Sequence, residues 1–158
     1  LVAFNRSLTL SLIEILGFAI AIIALALESL ADYQKGTFVR ACKARGERLA
    51  VCQRGLWRYS RHPNYFFEWM VWNGLILMAL PALPEAFETE HTIIALFLTA
   101  GLLFVSRLMY QTLVHLTGAR PAEYYSLKKR PAYADYQKTT NRFFPWIPKG
   151  VEKNGTNP

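Results

Sequence analysis

Residues 55–65 read Gly55-Leu56-Trp57-Arg58-Tyr59-Ser60-Arg61-His62-Pro63-Asn64-Tyr65, and they open directly onto an apolar run that extends over 66–83. Arg, His, Asn and aromatic side chains are thus concentrated at the mouth of a segment with the composition of a membrane helix. Charge held at such a boundary is costly, so the cluster reads as a site rather than a spacer. Two more apolar stretches flank it. One covers 8–27 and holds a single acid, Glu14; the other covers 92–114, with Arg107 toward its end. Each approaches the ~20 residues that a bilayer crossing needs. Three buried helices of a soluble bundle would show polar faces, and these stretches mostly do not. The expected fold is all-α and polytopic, with about three transmembrane helices and a cytoplasmic amphipathic C-terminal helix in one domain over 1–158.

The chain is 53% hydrophobic and carries a net charge of +7, which fits either a basic soluble protein or a membrane protein with basic loops. The arrangement of charge decides between them. The segment 31–63 contains Lys35, Arg40, Lys43, Arg45, Arg48, Arg54, Arg58 and Arg61 against Asp32 and Glu47 alone. The turn 84–91 holds Glu85, Glu88 and Glu90 and no Lys or Arg, and the tail after Gly118 is basic again. The positive-inside rule then places loop 31–63 and tail 118–158 in the cytoplasm, with a bacterial inner membrane as the expected location. Nucleic acid could use the same basic residues, but the spans argue against it. Cys42 and Cys52 share the cytoplasmic loop, where a disulfide is not expected, and they have no companion pair to hold a metal. No signal peptide is visible. The chain starts at Leu1, close to a span, and reads as the C-terminal part of a longer protein.

Pro63 suits the first turn of a helix, where a missing N–H costs nothing. The free N–H groups of that turn favour an anion, and Arg58, Arg61 and His62 add donors beside it. Arg matches phosphate through its planar fork. Attraction to anionic lipid would need only Lys and Arg and leaves His62, Asn64 and Tyr65 unexplained. Glu28, Asp32 and Lys35 share a helical face, from which Lys35 and Arg40 could reach a bound anion. Tyr65, Glu68, Trp69 and Trp72 share another face; Glu68, one turn deep, should point inward to a partner. In the tail, Glu123, Ser126, Lys128, Lys129, Arg130, Tyr133, Tyr136 and Gln137 fall at helical spacing. The ending Phe143-Phe144-Pro145-Trp146 is suited to docking at the membrane surface.

The run from Gly55 to Trp69, with Ala31-Asp32-Tyr33-Gln34-Lys35 and Phe38 upstream, resembles the signature of bacterial DUF1295 proteins. These are grouped with the steroid 5-alpha-reductase C-terminal family and the sterol reductases. Glu123, Ser126, Arg130, Tyr133, Tyr136 and the Phe-Pro-Trp ending extend the resemblance. It implies a polytopic membrane reductase that uses NADPH to reduce a conjugated carbon–carbon double bond of a steroid-like or other lipid. By similarity, Lys35 matches a cofactor-contacting basic position, and Cys52 and Trp57 line the nicotinamide side. Asn64 and Tyr65 match the cofactor pair of the His-Pro-Asn-Tyr motif, and Ser126, Arg130 and Tyr136 a downstream cofactor segment. Arg40, Arg58, Arg61, His62 and Glu123 complete the expected cofactor set, with Tyr65 and Glu68 as the catalytic candidates. Phe67 departs from the usual Gly, Val39 from a basic residue and Ala122 from an acid.

Two alternatives stand beside the reductase. Isoprenylcysteine carboxyl methyltransferases share an Arg-His-Pro-x-Tyr motif and a Glu, Ser-Leu and Tyr tail, echoed here by Glu123, Ser126, Leu127, Tyr133 and Tyr136. S-adenosylmethionine would then be the cofactor. A membrane scaffold that keeps the fold without catalysis is the other. Asn64 and the Ala31-to-Lys35 motif favour the reductase, as does the supply of basic residues for a 2′-phosphate.

Overall fold

The computed structural model describes residues 9–89 and 92–150, and among them it is all-helical. Residues 1–8, Glu90, His91 and residues 151–158 lie outside the described residues. Three helical stretches are long and apolar enough to cross a membrane: Leu12–Ala44, Pro63–Glu88 and Thr92–Lys129. The polytopic all-α expectation therefore holds.

Helix α1 covers Leu12–Ala44. It starts at a capping box: Glu14 N–H donates to Ser11 Oγ at 3.2 Å, and Ser11 N–H donates to Glu14 Oε2 at 2.7 Å. Its apolar stretch passes into charged residues from Glu28 onward without breaking. The helix ends only at Gly46, whose φ of 77° takes the left-handed turn that a side chain resists. Gly46 N–H donates to Lys43 O at 3.2 Å and Glu47 N–H to Cys42 O at 2.9 Å, the paired bonds of a Schellman stop. The expected loop 31–63 is thus helical over its first part; charge ended the apolar stretch, but no residue there stops a helix.

Helix α2 covers Pro63–Ala79, with Pro63 at its start as expected. A 3-10 turn, Leu80–Ala82, leads into α3, Leu83–Thr89. The acidic segment expected as a turn from residue 84 is therefore mostly helical, because Pro84 sits in the first turn of α3, where it is tolerated. Helix α4 is Thr92–Gln111, followed by one π-helical turn, Thr112–Leu116. Past Gly118, where the apolar crossing has ended, come α5, Ala119–Lys129, and α6, Tyr133–Thr139. The single tail helix is in fact two, divided at Arg130-Pro131 because Pro131 restrains the residue before it.

Helices α1 and α2 make the closest pair. Gly17, Ala21, Ala24 and Ala31 are buried along α1 and Gly74 on α2, a stripe of small residues that lets two backbones approach. A Cβ on Gly74 would come within 2.8 Å of Ala21 N and Gly17 O. Between α2 and α4, Trp69 Nε1–H donates to Ser106 O at 3.1 Å and Ser106 Oγ–H to Asn73 Oδ1 at 2.8 Å. A core of Leu113, Val114 and Phe143, packed by Tyr65, Phe66, Trp69, Met109 and Tyr110, closes the end of the bundle where the polar segments gather.

Candidate functional site

The turn Gly55–Arg58 precedes α2 and is fixed from α1. Gly55 has a φ of 57°, which brings Leu56 N–H onto Gln34 Oε1 at 2.9 Å. Trp57 then turns inward; it is 2% exposed, and its Nε1–H donates to Ala31 O at 2.8 Å. Lys35 Nζ lies over the Trp57 ring, 3.8 Å from the centroid. Tyr136, buried from the tail, donates its hydroxyl hydrogen to Trp57 O, and Ser60 O lies 3.2 Å from the same oxygen. Burial pushes the Tyr136 phenol far up, so it remains a donor.

The next residues form an ion cluster with the tail. Arg61 Nε–H donates to Glu123 Oε1 at 2.7 Å, while Arg61 Nη1 donates to Gln137 O at 2.8 Å and Thr140 O at 2.7 Å. Arg142 Nε–H and Gln137 Nε2–H donate to Glu123 Oε2 at 2.9 and 3.0 Å. His62 Nε2 stands 3.4 Å from Glu123 Oε1. Burial alone would raise the Glu123 pKa, but its contacts with His62 and Arg61 outweigh this and hold it down at about 2. Burial lowers the His62 pKa more than Glu123 raises it, so the imidazole is held neutral. The sequence placed Arg61, Glu123 and Tyr136 at a cofactor. The structure commits Glu123, the Tyr136 hydroxyl and most Arg61 donors to joining the tail to the start of α2. Arg142, which the sequence reading passed over, completes this joint.

A second group faces a different space. Lys35 lies within electrostatic reach of Cys52, Arg130 and Asp32. Burial pushes the Cys52 thiol up, against the pull of Lys35. One turn further along α1 begins a cavity of about 400 Å³, lined by Phe38, Val39, Cys42, Lys43, Glu47, Arg48, Ala50 and Arg130. Its size falls in the range of small-molecule pockets. Neither Lys35 nor Arg130 has an ion-pair partner among the described residues; the cavity's one acid, Glu47, pairs with Arg45 at 3.0 Å. Lys43, Arg48 and the apolar cavity wall were absent from the expected set. For Phe38, Val39, Cys42 and Lys43 the signal was the continuation of the Lys35 face at steps of three and four residues; Arg48 and Ala50 lie past the helix stop and had none.

In the opposite direction along α1, Asp32 is within electrostatic reach of Tyr65 and Glu68 on the first turns of α2. Tyr65 stacks on His62 with a centroid separation of 5.4 Å. Asn64 Oδ1 is buried and accepts no hydrogen bond among the described residues. From Asp32 to Lys43 the helix rises about 16 Å, so α1 links Tyr65, Glu68 and Lys35 to the cavity. Ser126 is half-buried on α5, Arg40 is exposed, and Arg58 is exposed and lines another cleft. The structure thus divides the expected set: Lys35, Cys52 and Arg130 converge, Tyr65 and Glu68 follow along α1, and Arg58 points elsewhere. Among the described residues no His, Cys, Asp and Glu group could hold a metal ion.

No curated protein and no solved structure matches the chain. The family model of DUF1295, described as a protein of unknown function, matches residues 1–140. That stretch includes α1 through α6, with Arg61 and Glu123 of the joint and the cations at the cavity. By this match over most of its length, the chain belongs to the DUF1295 family.

Proposed function

We propose that the protein is an NADPH-dependent reductase of a conjugated carbon–carbon double bond in a steroid-like or other lipid. The observation that carries the reading is the contrast among the cations of the polar end, where Arg61 is buried and Arg142, Lys35 and Arg130 are half-buried. Arg61 and Arg142 share the carboxylate of Glu123, whereas Lys35 and Arg130 have no carboxylate partner among the described residues and lie beside a cavity. A cation kept from water without a counter-ion is costly, and a phosphate group would remove that cost. Lys43 and Arg48 add positive charge along the same wall. The donor set therefore fits a ligand with several phosphates better than one with a single carboxylate, which favours NADPH over S-adenosylmethionine.

NADPH, when bound, supplies a hydride. Lys35, Arg130, Lys43 and Arg48 would hold its phosphates, and Phe38, Val39 and Ala50 offer an apolar wall to its adenosine. Asn64 Oδ1 offers an acceptor to an amide donor. Tyr65 and Glu68, where the polar end meets the apolar helices, would hold the proton that an enone acceptor needs or polarise its carbonyl. The basic end of the molecule faces the cytoplasm in this reading, with the crossings in a bacterial inner membrane.

The test is cofactor binding to the full chain in detergent, with NADPH, NADH and S-adenosylmethionine compared. Selective NADPH binding is expected. Lys35→Gln and Arg130→Gln should each weaken it about tenfold, the loss of one charge-assisted bond of ~1.4 kcal/mol, with the unfolding midpoint unchanged. Selective binding of S-adenosylmethionine would overturn the reading in favour of methyl transfer. Binding of none by folded protein would leave the scaffold.

A further inference from the structure

The segment after α6 does not hang free. Arg61 N–H donates to Asn141 O at 2.9 Å, Ser60 Oγ–H to Phe143 O at 2.9 Å, Trp146 N–H to Tyr59 O at 2.9 Å and Lys149 N–H to Thr139 O at 2.8 Å. Phe143 is buried against Phe66, Trp69 and Tyr110, at ring separations of 5.7, 6.0 and 5.3 Å. This fixes the segment at the level where α2 begins. Yet Trp146 is 68% exposed and Ile147 76%, with Tyr59 beside them at 43%. Tyr59, Pro145, Trp146 and Ile147 line one shallow apolar hollow. A backbone pinned so firmly beneath exposed apolar side chains suits a surface that meets lipid.

The chain neighbours of Tyr59 and Ile147, Arg58 and Pro148, line a cleft of about 370 Å³ with Gln53, Thr139, Thr140 and Lys149. Among the described residues its charges are Arg58 and Lys149, and no carboxylate lines it. Neither cation has an ion-pair partner among the described residues. Arg58 follows Trp57 but points away from Lys35 and the cavity of Arg130.

We infer that this cleft binds the phosphodiester headgroup of an anionic phospholipid, in the leaflet at the polar end of the bundle. Arg58 and Lys149 meet the phosphate, Gln53 supplies a hydrogen bond, and the Tyr59–Trp146–Ile147 hollow takes the glycerol and upper acyl carbons. Charge complementarity favours an anionic headgroup, and the apolar hollow formed by the next residues along both segments favours a lipid over a soluble anion. The inference does not depend on the cofactor.

The test is native mass spectrometry of the full chain released from nanodiscs of equal parts phosphatidylglycerol and phosphatidylcholine. Preferential retention of phosphatidylglycerol is expected, reduced at least fivefold by the double variant Arg58→Gln, Lys149→Gln. Lys128→Gln with Lys129→Gln, on the exposed face of α5, should leave retention unchanged. Glycerol 3-phosphate at millimolar concentration should not compete. Trp146→Ser keeps both charges and should also lower retention, which a purely electrostatic cleft would not show. Circular dichroism confirms that each variant is folded. Equal retention of the two lipids, an equal loss in the α5 variant, or full competition by glycerol 3-phosphate would each overturn the lipid site.

Discussion

If Glu123 became Gln, Arg61 would keep its bonds to the carbonyls of Gln137 and Thr140 and lose its carboxylate, leaving a buried guanidinium uncompensated. Such a loss costs about 3–5 kcal/mol. Glu123→Gln should therefore lower unfolding stability by about 3 kcal/mol in a denaturant titration, whereas Lys35→Gln should leave it near the starting value. The sequence revealed the residue types of the site but not which charges were already paired. Arg61 and Lys35 both read as free cations at an anion site. The carboxylate that decides the matter for Arg61 lies 62 residues further on, and only folding brings it there. Trp57 was legible as a site residue, but the carbonyl that holds its indole belongs to Ala31, an alanine with no side-chain signal.

Helix α1 shows why element boundaries were harder to read than element type. The apolar run fixed a span, but Glu28 and Asp32 only change what surrounds the helix; its stop is written later, at Gly46. That continuation is what carries Lys35, Cys42 and Lys43 to the cavity. The same two-sided reading applies to glycine on the membrane helices. Gly74 faces the backbone of α1, and added bulk there forces two helices apart, so Gly74→Ala should destabilise by about 1–3 kcal/mol. Gly101 meets nothing within 4 Å. Gly101→Ala, in the interior of α4, should instead stabilise by about 0.5–1 kcal/mol. Thermal unfolding of both variants in one detergent checks the pair, and equal shifts of the same sign would contradict the close packing of α1 on α2.

For the molecule as a whole, the joint between tail and α2 sets a pH dependence. His62 has a folded pKa below its ordinary 6.5, so the unfolded chain takes up that proton first as pH falls and stability declines below about 6.5. Glu123, at about 2 against an ordinary 4.5, contributes stability that is complete above 4.5 and lost as pH falls toward 2. Both groups thus weaken the fold on the acid side, in successive windows. The unfolding midpoint followed from pH 7 downward should fall in two stages; His62→Asn should flatten the first and Glu123→Gln the second. The three-helix plan was legible because apolar length is local in sequence. The cavity was not, because its wall joins α1 to Arg130 across the whole chain. The pinned segment after α6 has a bearing on how the protein is made. The carbonyls of Thr140, Asn141 and Phe143 come after every apolar helix in the order of synthesis. Until then Ser60 and Arg61 wait at the bilayer edge with these hydrogen bonds unmade. Insertion and closure are therefore separable, and a chain ending at Thr139 would keep its apolar helices with its mouth open to proteases.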